Sequence, residues 1–334
     1  MGAVTAGGLR RSAVTVFLLV ALLAAVGASL ALGAVKIPLH EVIDILTGKD
    51  APGPATQIVE VLRLPRTVEA ILVGAALGVA GAVLQGALAN PLASPDVIGV
   101  TSGAGFGAML IILLRPEDLD LLPVSALVFG LLAAAMVFSI GFSGPSGGGV
   151  GRVILAGIAI ASMFAAGTAA LIAAYPDRVP SGIFFLVGGL TSDGWNSLEI
   201  IWPYFAVGFV LAAFLVRPLD RLMLGDDVAA SLGSRPRAIR LTAAVAAAVL
   251  ASAAAAIAGL VGFIGLVIPH IVRLAGGTNN HTFVIPVSAL GGAALLVAAD
   301  TLARTIRAPI EMPVGPFMVL LGVPVFLWLL RKVV

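Results

Sequence analysis

Long apolar stretches, separated by short polar segments, run along the whole of this chain. A membrane hydrocarbon core of about 30 Å is crossed by roughly 20 apolar residues in an α-helix. On that basis we predict ten spans, over residues 12–35, 67–88, 97–114, 121–142, 152–174, 199–216, 238–258, 260–275, 283–306 and 314–330. The pattern therefore predicts an all-α polytopic membrane protein with a single transmembrane domain over residues 1–334.

Two further apolar segments are too short to cross a membrane. Residues 36–48 place apolar side chains at helical spacing, with Pro38 near a helix start and Gly48 just past its end. This predicts a short helix at the membrane surface. Residues 181–190 predict a half-helix or a re-entrant element.

Composition agrees with this class of protein. Of the 334 residues, 60% are apolar and 11% are charged, whereas a water-soluble domain averages about 25% charged residues. Glycine pairs at four-residue spacing, Gly74/Gly78 and Gly103/Gly107, predict close helix packing. The net charge of +2 gives no indication of nucleic-acid binding, and the absence of cysteine excludes disulfides and thiolate metal sites.

The distribution of charge predicts the orientation of the chain. An even number of spans places both termini on one side, and that side then holds most of the arginines, which favours a cytoplasmic location for both ends. The run after Arg10 and Arg11 could be a secretory signal. Because so many spans follow it, we expect an uncleaved first helix instead.

Four arginines do not fit this distribution. Arg63 and Arg66, in the sequence RLPR, stand where the second predicted span begins, and Arg304 and Arg307 lie at the end of the ninth span on the same outer face. Cations oppose the positive end of a helix dipole, at a cost of roughly 0.3–1 kcal/mol each. By spacing, Glu69 is a candidate partner for Arg66, and Asp300 for Arg304.

The largest predicted cytoplasmic loop covers residues 217–240. Asp226 and Asp227 are placed to begin a short helix, and Gly233 is placed to close it. Val228, Ala229 and Leu232 form a small apolar face. Local features leave two interpretations open, a solvated loop or a helix on which a cytoplasmic partner docks.

Several kinds of chemistry find no support in the sequence. His40, His270 and His281 do not have metal-ligand spacing, no GxxxxGK[ST] motif is present, and no catalytic triad or paired-carboxylate site can be assembled. We therefore predict no catalytic residues, no metal ligands and no enzyme activity. No span carries an unpaired charge near its centre, which argues against a proton-coupled or sodium-coupled carrier.

Long motifs along nearly the whole chain resemble one family. LRLPR (62–66), LVGAALGVAGAVLQG (72–86) and NPLASPDVIGV (90–100) are similar to the first half of the iron-siderophore, haem and cobalamin permeases of ATP-binding-cassette (ABC) importers. The second half is matched by residues 224–233, GFIGLVIPHIVR (262–273), ADTLAR (299–304) and residues 311–330.

This resemblance implies a type II ABC importer permease, similar to the vitamin B12 permease, with ten helices in the plasma membrane of a bacterium. It implies four kinds of partner besides the lipid: a second permease subunit (a second copy or a paralogue), two cytoplasmic ATPase subunits, an extracytoplasmic binding protein and the imported ligand. ATP and Mg²⁺ would be bound by the ATPase subunits, and this chain would bind no cofactor.

The resemblance also implies roles for particular residues. The residues expected to dock the binding protein are Arg63, Arg66 and Arg304, joined by Arg307. The residues expected to couple the permease to the ATPase are Gly225, Asp226, Asp227, Ala230, Leu232 and Gly233. An inner gate is expected at Ser143 and Ser146, and the translocation path is expected to include Ser162, Met163, Thr168 and Met318.

Three departures from the family pattern affect these expectations. Ala89 stands where a basic residue often precedes AsnProLeuAla, Phe317 and Met318 are bulky where small or hydroxyl residues are common, and residues 186–194 differ from the usual Met-Gly-Ser-rich form.

The function we expect is ATP-driven import of a ferric siderophore, with haem or cobalamin as other possible ligands. The alternative is a secondary transporter or channel for a small solute that needs no partner.

Overall fold

The computed structural model of the protein describes residues 2–49, 53–96, 98–141, 143, 150–190 and 194–333, and all regular structure within them is helical. The helices are α1 (Gly2–Ala31), α2 (Leu39–Leu46), α3 (Pro54–Gln57), α4 (Leu64–Ala87), α5 (Val100–Leu114), α6 (Leu122–Gly141), α7 (Val150–Ala174), α8 (Val179–Val187), α9 (Asn196–Leu222), α10 (Asp226–Ser231), α11 (Pro236–Ala258), α12 (Ile264–Gly276), α13 (His281–Thr305) and α14 (Val314–Val333).

Seven helical segments in the described residues are long and apolar enough to cross a membrane. They correspond to α1, α4, α6, α7, α9, α11 and α13, and each of the seven overlaps a predicted span. The third, eighth and tenth predicted spans correspond to shorter apolar helices, over Val100–Leu114, Ile264–Gly276 and Val314–Trp328. The chain is therefore a multi-pass helical membrane protein.

The helix that contains RLPR begins earlier than the sequence predicts. A continuous helical segment runs from Pro54 to Ala87, as α3, a π-helical turn over Ile58–Arg63, and α4. Pro65 has no N–H to donate, so it suits the first turn of α4, and the wider π turn before it connects α4 to α3. Arg63 and Arg66 therefore lie inside a helical segment rather than at its start.

Helix α4 lies at the centre of the bundle, with α9, α11, α12 and α13 packed around it. It meets α13 backbone to backbone. A Cβ added at Gly74 would lie 2.3 Å from the carbonyl oxygen of Gly292, and one at Gly78 would lie 2.3 Å from that of Ser288. The predicted role of this glycine pair in close packing is confirmed.

The second glycine pair has the same role between α5 and α6. A Cβ at Gly103 would lie 2.5 Å from the carbonyl oxygen of Phe129, and a Cβ at Gly107 would lie 2.5 Å from that of Ser125. The Ser125 hydroxyl also donates to the Gly107 carbonyl at 2.7 Å. Small residues at these positions let the two backbones touch.

The short elements also match their predictions. Helix α2 begins directly after Pro38 and buries Val42 and Ile45. Helix α8, nine residues long, begins two residues before the segment expected to be a half-helix and covers its first seven residues.

The boundary of the loop predicted over residues 217–240 is different. Leu215, Leu219 and Leu222 are buried at helical spacing, so α9 continues to Leu222 and α11 already begins at Pro236.

We expect Gly78→Ala to destabilise the protein by about 1–3 kcal/mol, because overpacking a tight contact costs that much. Gly151→Ala in α7 is the matched control, since a Cβ there meets nothing within 4 Å. Both changes raise helix propensity. Thermal unfolding in detergent should therefore show a lower midpoint temperature for Gly78→Ala and not for Gly151→Ala. Equal midpoints of the two variants would contradict the packing argument.

Candidate functional site

Arg63, Arg66 and Arg304 lie together at the end of the bundle where α1 ends and α4 begins, which we call the arginine end. Arg63 donates hydrogen bonds to the carbonyl oxygen of Leu30 at 2.6 Å and to that of Val35. The Leu30 carbonyl lies in the last turn of α1, where the helix dipole is negative and favours cations, and Val35 lies in the loop that follows α1. The dipole penalty expected for Arg63 is thus replaced by a favourable contact with a neighbouring helix.

A chain of hydrogen bonds extends this contact to three helices. Arg304 of α13 donates through Nη2 to the carbonyl oxygen and to the hydroxyl of Ser29 in α1, both at 2.9 Å. The Thr67 hydroxyl donates to the Arg63 carbonyl at 2.7 Å, so the Ser29 hydroxyl donates to Thr67 Oγ1 at 2.8 Å. The chain joins α1, α4 and α13.

Arg66 binds two carboxylates. Its Nη2 lies 2.9 Å from Asp300 Oδ1 and its Nε 3.1 Å from Oδ2, and both side chains are almost fully buried. Its Nη1 lies 2.5 Å from Oε2 of Glu311, whose side chain is 51% exposed. Arg304 Nε lies 3.2 Å from Asp300 Oδ2, which confirms the predicted pairing of Asp300 with Arg304. Glu69 is buried in α4, and its pairing with Arg66 remains a prediction.

These arginines border a pocket of about 300 Å³ at the arginine end. Its lining residues are Gly33, Ala34, Val35, Ile58, Leu62, Arg63, Arg66, Arg304, Pro309 and Glu311. Arg63, Arg66 and Arg304 are buried and bonded within the chain, whereas Arg307 is exposed and does not line the pocket. The predicted docking residues therefore divide into three that shape a positively charged pocket and one on the open surface.

The loop between α9 and α11 forms a separate site at the opposite end of the bundle. Gly225, with φ of +97°, precedes α10, and Asp226 at its start pairs with both Nη atoms of Arg240 at 2.7 and 2.8 Å. Arg240 Nε also donates to the carbonyl oxygen of Ala87 at 3.1 Å. Arg240 therefore fixes α10 to the C-terminus of α4.

Gly233 closes α10 as the sequence predicts. It has a φ of +76°, and its N–H donates to the carbonyl oxygen of Ala230 at 2.9 Å. The N–H of Ser234 donates to the carbonyl oxygen of Ala229, also at 2.9 Å. These two bonds form a Schellman motif, which satisfies the last carbonyls of the helix.

This loop exposes several apolar side chains. Ala229 lies on the buried face of α10, whereas Leu224, Val228 and Leu232 are 58%, 47% and 56% exposed. Gly225, Asp227 and Ala230 are exposed beside them. The predicted coupling residues thus form an ordered, partly apolar protrusion with acidic groups at its start.

The predicted gate and path residues lie in different settings. Ser143 is exposed and its hydroxyl donates to the Ile140 carbonyl, while Ser146 lies outside the described residues. Ser162 and Met163 are exposed on α7 and Thr168 is half-buried. Met318 is 1% exposed and packs in the core, so it does not line an open path in this conformation.

The NPLASPDVIGV motif has a structural role that was not predicted from the sequence. The Asp96 carboxylate accepts hydrogen bonds from the Phe263 N–H and the Thr101 hydroxyl. Phe263 has a φ of +69°, which is uncommon for a non-glycine residue. Asp96 therefore joins the loop before α5 to the loop before α12. Local spacing could not predict the contact with Phe263, because the two residues are far apart in the sequence.

The histidine at the start of α13 also has a structural partner. His281 is 2% exposed, and its backbone N–H and ring Nδ1 both lie 2.7 Å from Asp220 Oδ1. The pair connects α13 to α9.

The described residues form a multi-pass bundle of apolar helices with a charged pocket at one end and a helical protrusion at the other, an architecture expected of a membrane permease. The profile of the FecCD transport family matches residues 19–332, and the chain belongs to that family.

Curated relatives are similar over most of their length. The Fe(3+)-citrate import system permease protein YfmE of Bacillus subtilis is 35% identical over 307 residues, covering 91% of this chain and 90% of that protein. The iron(3+)-hydroxamate import system permease protein FhuB of the same organism is 39% identical over 306 residues, covering 91% and 79%. These relatives are transport permeases, and the chain is a permease of the ABC importer type.

A solved structure supports the same fold. It is described as an inward-facing conformation of a metal-chelate type ABC transporter, and it has a TM-score of 0.83 at 29% identity. The alignment covers 96% of this chain and 99% of that chain.

We expect Asp300→Asn to destabilise the protein by about 3–5 kcal/mol, because it removes the buried negative charge that Arg66 and Arg304 share. Asp118→Asn is the matched control, since Asp118 pairs with Arg115 on the exposed surface, where such pairs contribute about 0–1 kcal/mol. Thermal unfolding of the two variants in detergent tests this. Equal midpoints would show that the buried network does not stabilise the fold.

Proposed function

We propose that this chain is the translocating subunit of an importer that moves a ferric siderophore from an extracytoplasmic binding protein into the cytoplasm, driven by ATP hydrolysis on separate subunits. The observation that carries the proposal is the FecCD match over residues 19–332, on a fold with a distinct site at each end. In this proposal the chain crosses the bacterial plasma membrane ten times and has both termini in the cytoplasm.

The arginine end is proposed to face outward and to dock the binding protein. Three arginines and one carboxylate line its pocket, so the pocket is positively charged. Carboxylates on the binding protein would complement this charge, which mainly increases the association rate and makes it depend on salt. Exposed Arg307 would extend the attraction onto the surrounding surface.

The opposite end is proposed to receive the ATPase subunits. An exposed apolar helix on a water-facing loop is unfavourable unless a partner covers it. Val228 and Leu232 supply that face, and Arg240 bonds α10 to the last residue of α4. This connection would let α10 transmit movement of an ATPase to the bundle.

The proposed second permease subunit would pack on apolar faces that one copy leaves uncovered. Helix α7 exposes Leu155 and Ile158, at 69% and 55%, and α14 exposes Leu320 at 72%. In this arrangement Ser162, Met163 and Thr168 of α7 would lie near the path. A second copy and a paralogue both fit these faces.

The ligand assignment rests on the relatives. YfmE is named for ferric citrate and FhuB for ferric hydroxamate, so we propose a ferric siderophore as the leading substrate class, with haem and cobalamin as alternatives.

Reconstitution in liposomes tests the import mechanism. Uptake of ferric citrate or a ferric hydroxamate should require the permease, the ATPase subunits encoded with it, its binding protein and ATP. Omitting any one component should abolish uptake. Transport by the permease alone would instead support the secondary transporter or channel.

Single cysteines test the two docking sites, and the absence of native cysteine makes each one unique. Leu232→Cys should crosslink to the ATPase, and Arg307→Cys should crosslink to the binding protein, because the two positions lie at opposite ends of the bundle. Both side chains are exposed, so reaction with a soluble maleimide serves as the control for accessibility. The reverse crosslinking pattern would overturn the proposed orientation.

A further inference from the structure

We propose that Glu311 occupies the place on Arg66 that a carboxylate of the binding protein takes during docking, so that docking exchanges one carboxylate for another. This inference rests on the proposed function of the arginine end. It adds that Glu311 of this chain competes with the binding protein for Arg66.

The two carboxylates on Arg66 differ in the way an exchange requires. Asp300 contacts Arg66 through both oxygens, is 2% exposed, and also lies beside Arg304. Glu311 contacts Arg66 through one oxygen and is 51% exposed. Breaking the buried Arg66–Asp300 pair is costly, whereas Glu311 can separate because water replaces the contact on its half-exposed carboxylate and Asp300 keeps the buried guanidinium paired. Asp300 therefore stays in place and Glu311 is the group that can leave.

The position of Glu311 in the chain also favours its release. It lies between the end of α13 at Thr305 and the start of α14 at Val314, outside both helices. Residues 306–311 are all exposed. Within the part of the chain that the structure describes, the Glu311 side chain has one ion-pair partner, Arg66. Its carboxylate can therefore turn away without disturbing a helix.

The pocket itself provides room for the incoming group. Arg66 and Glu311 both line it, together with Arg63 and Arg304. Replacing Glu311 by another carboxylate keeps the charge at the pocket constant and keeps Nη1 of Arg66 bonded. The partner chemistry that fits is a single aspartate or glutamate side chain presented on a protein surface.

Glu311→Gln tests the exchange, because it keeps the shape of the side chain and removes the competing charge. Titrating the binding protein encoded with this permease against the permease–ATPase complex in nanodiscs should show about two- to fivefold tighter docking, the effect expected for an exposed ion pair. Glu117→Gln is the matched control. It removes an exposed glutamate at the same end of the bundle, on the connection after α5, and should leave docking unchanged.

The outcomes separate this inference from the function on which it rests. If the binding protein binds Glu311→Gln with unchanged or lower affinity, the exchange is wrong. It is also wrong if Glu117→Gln raises the affinity as much as Glu311→Gln does, because that result would show a general effect of charge. Arg307→Glu reports on docking at the arginine end independently: if it weakens docking while Glu311→Gln has no effect, the docking site stands and the exchange does not. If the wild-type complex does not bind the binding protein, the proposed function fails and the exchange fails with it.

Discussion

The ion pair between Arg66 and Asp300 joins α4 to α13 where both helices are buried, and the other contacts of the arginine end depend on it. Charges removed from water must be paired, so this contact fixes the register of the two helices at that end. Arg304, one turn after Asp300, is thereby placed on the C-terminus of α1, where Arg63 also binds. Three helices distant in sequence are therefore aligned by one polar cluster. The pocket is the space that this cluster leaves open toward solvent.

Helix α4 connects the two proposed sites directly. Arg66 lies near its start, and the carbonyl of Ala87, its last residue, accepts the hydrogen bond from Arg240 that anchors α10. At 1.5 Å per residue the two positions are about 30 Å apart, close to the thickness of a hydrocarbon core. Gly74 and Gly78 hold the middle of α4 against α13 without intervening side chains. A shift of α10 would therefore act on the same rigid helix that carries the arginine pocket.

Local patterns predicted much of this structure, and long-range contacts account for what they did not predict. The spans, the glycine pairs, the start and end of α10 and the pairing of Asp300 with Arg304 all depend on spacings of a few residues. The partners of Arg63 and Arg66 do not, because Leu30 and Asp300 approach them only after the helices pack. The early start of the helix at Pro54 was missed because residues 54–66 contain Arg63, Pro65 and Arg66, which usually mark the end of an apolar span. The family resemblance implies a place for Met318 on the path, whereas in this conformation its side chain is buried in the core of the subunit.

The chemistry of arginine explains why cations are tolerated at this end of the bundle. A guanidinium keeps its charge and offers five donors in a fixed fork, whereas lysine offers a single ammonium. Arg63 uses its fork on two carbonyls, Arg66 on two carboxylates, and Arg304 on a carbonyl and a hydroxyl beside Asp300. The positive-inside rule concerns charges in solvated loops, and these three are bonded inside the protein. Their presence on the proposed outer face therefore follows from helix packing, and in the proposed exchange docking would replace one bond, that of Arg66 to the half-exposed Glu311.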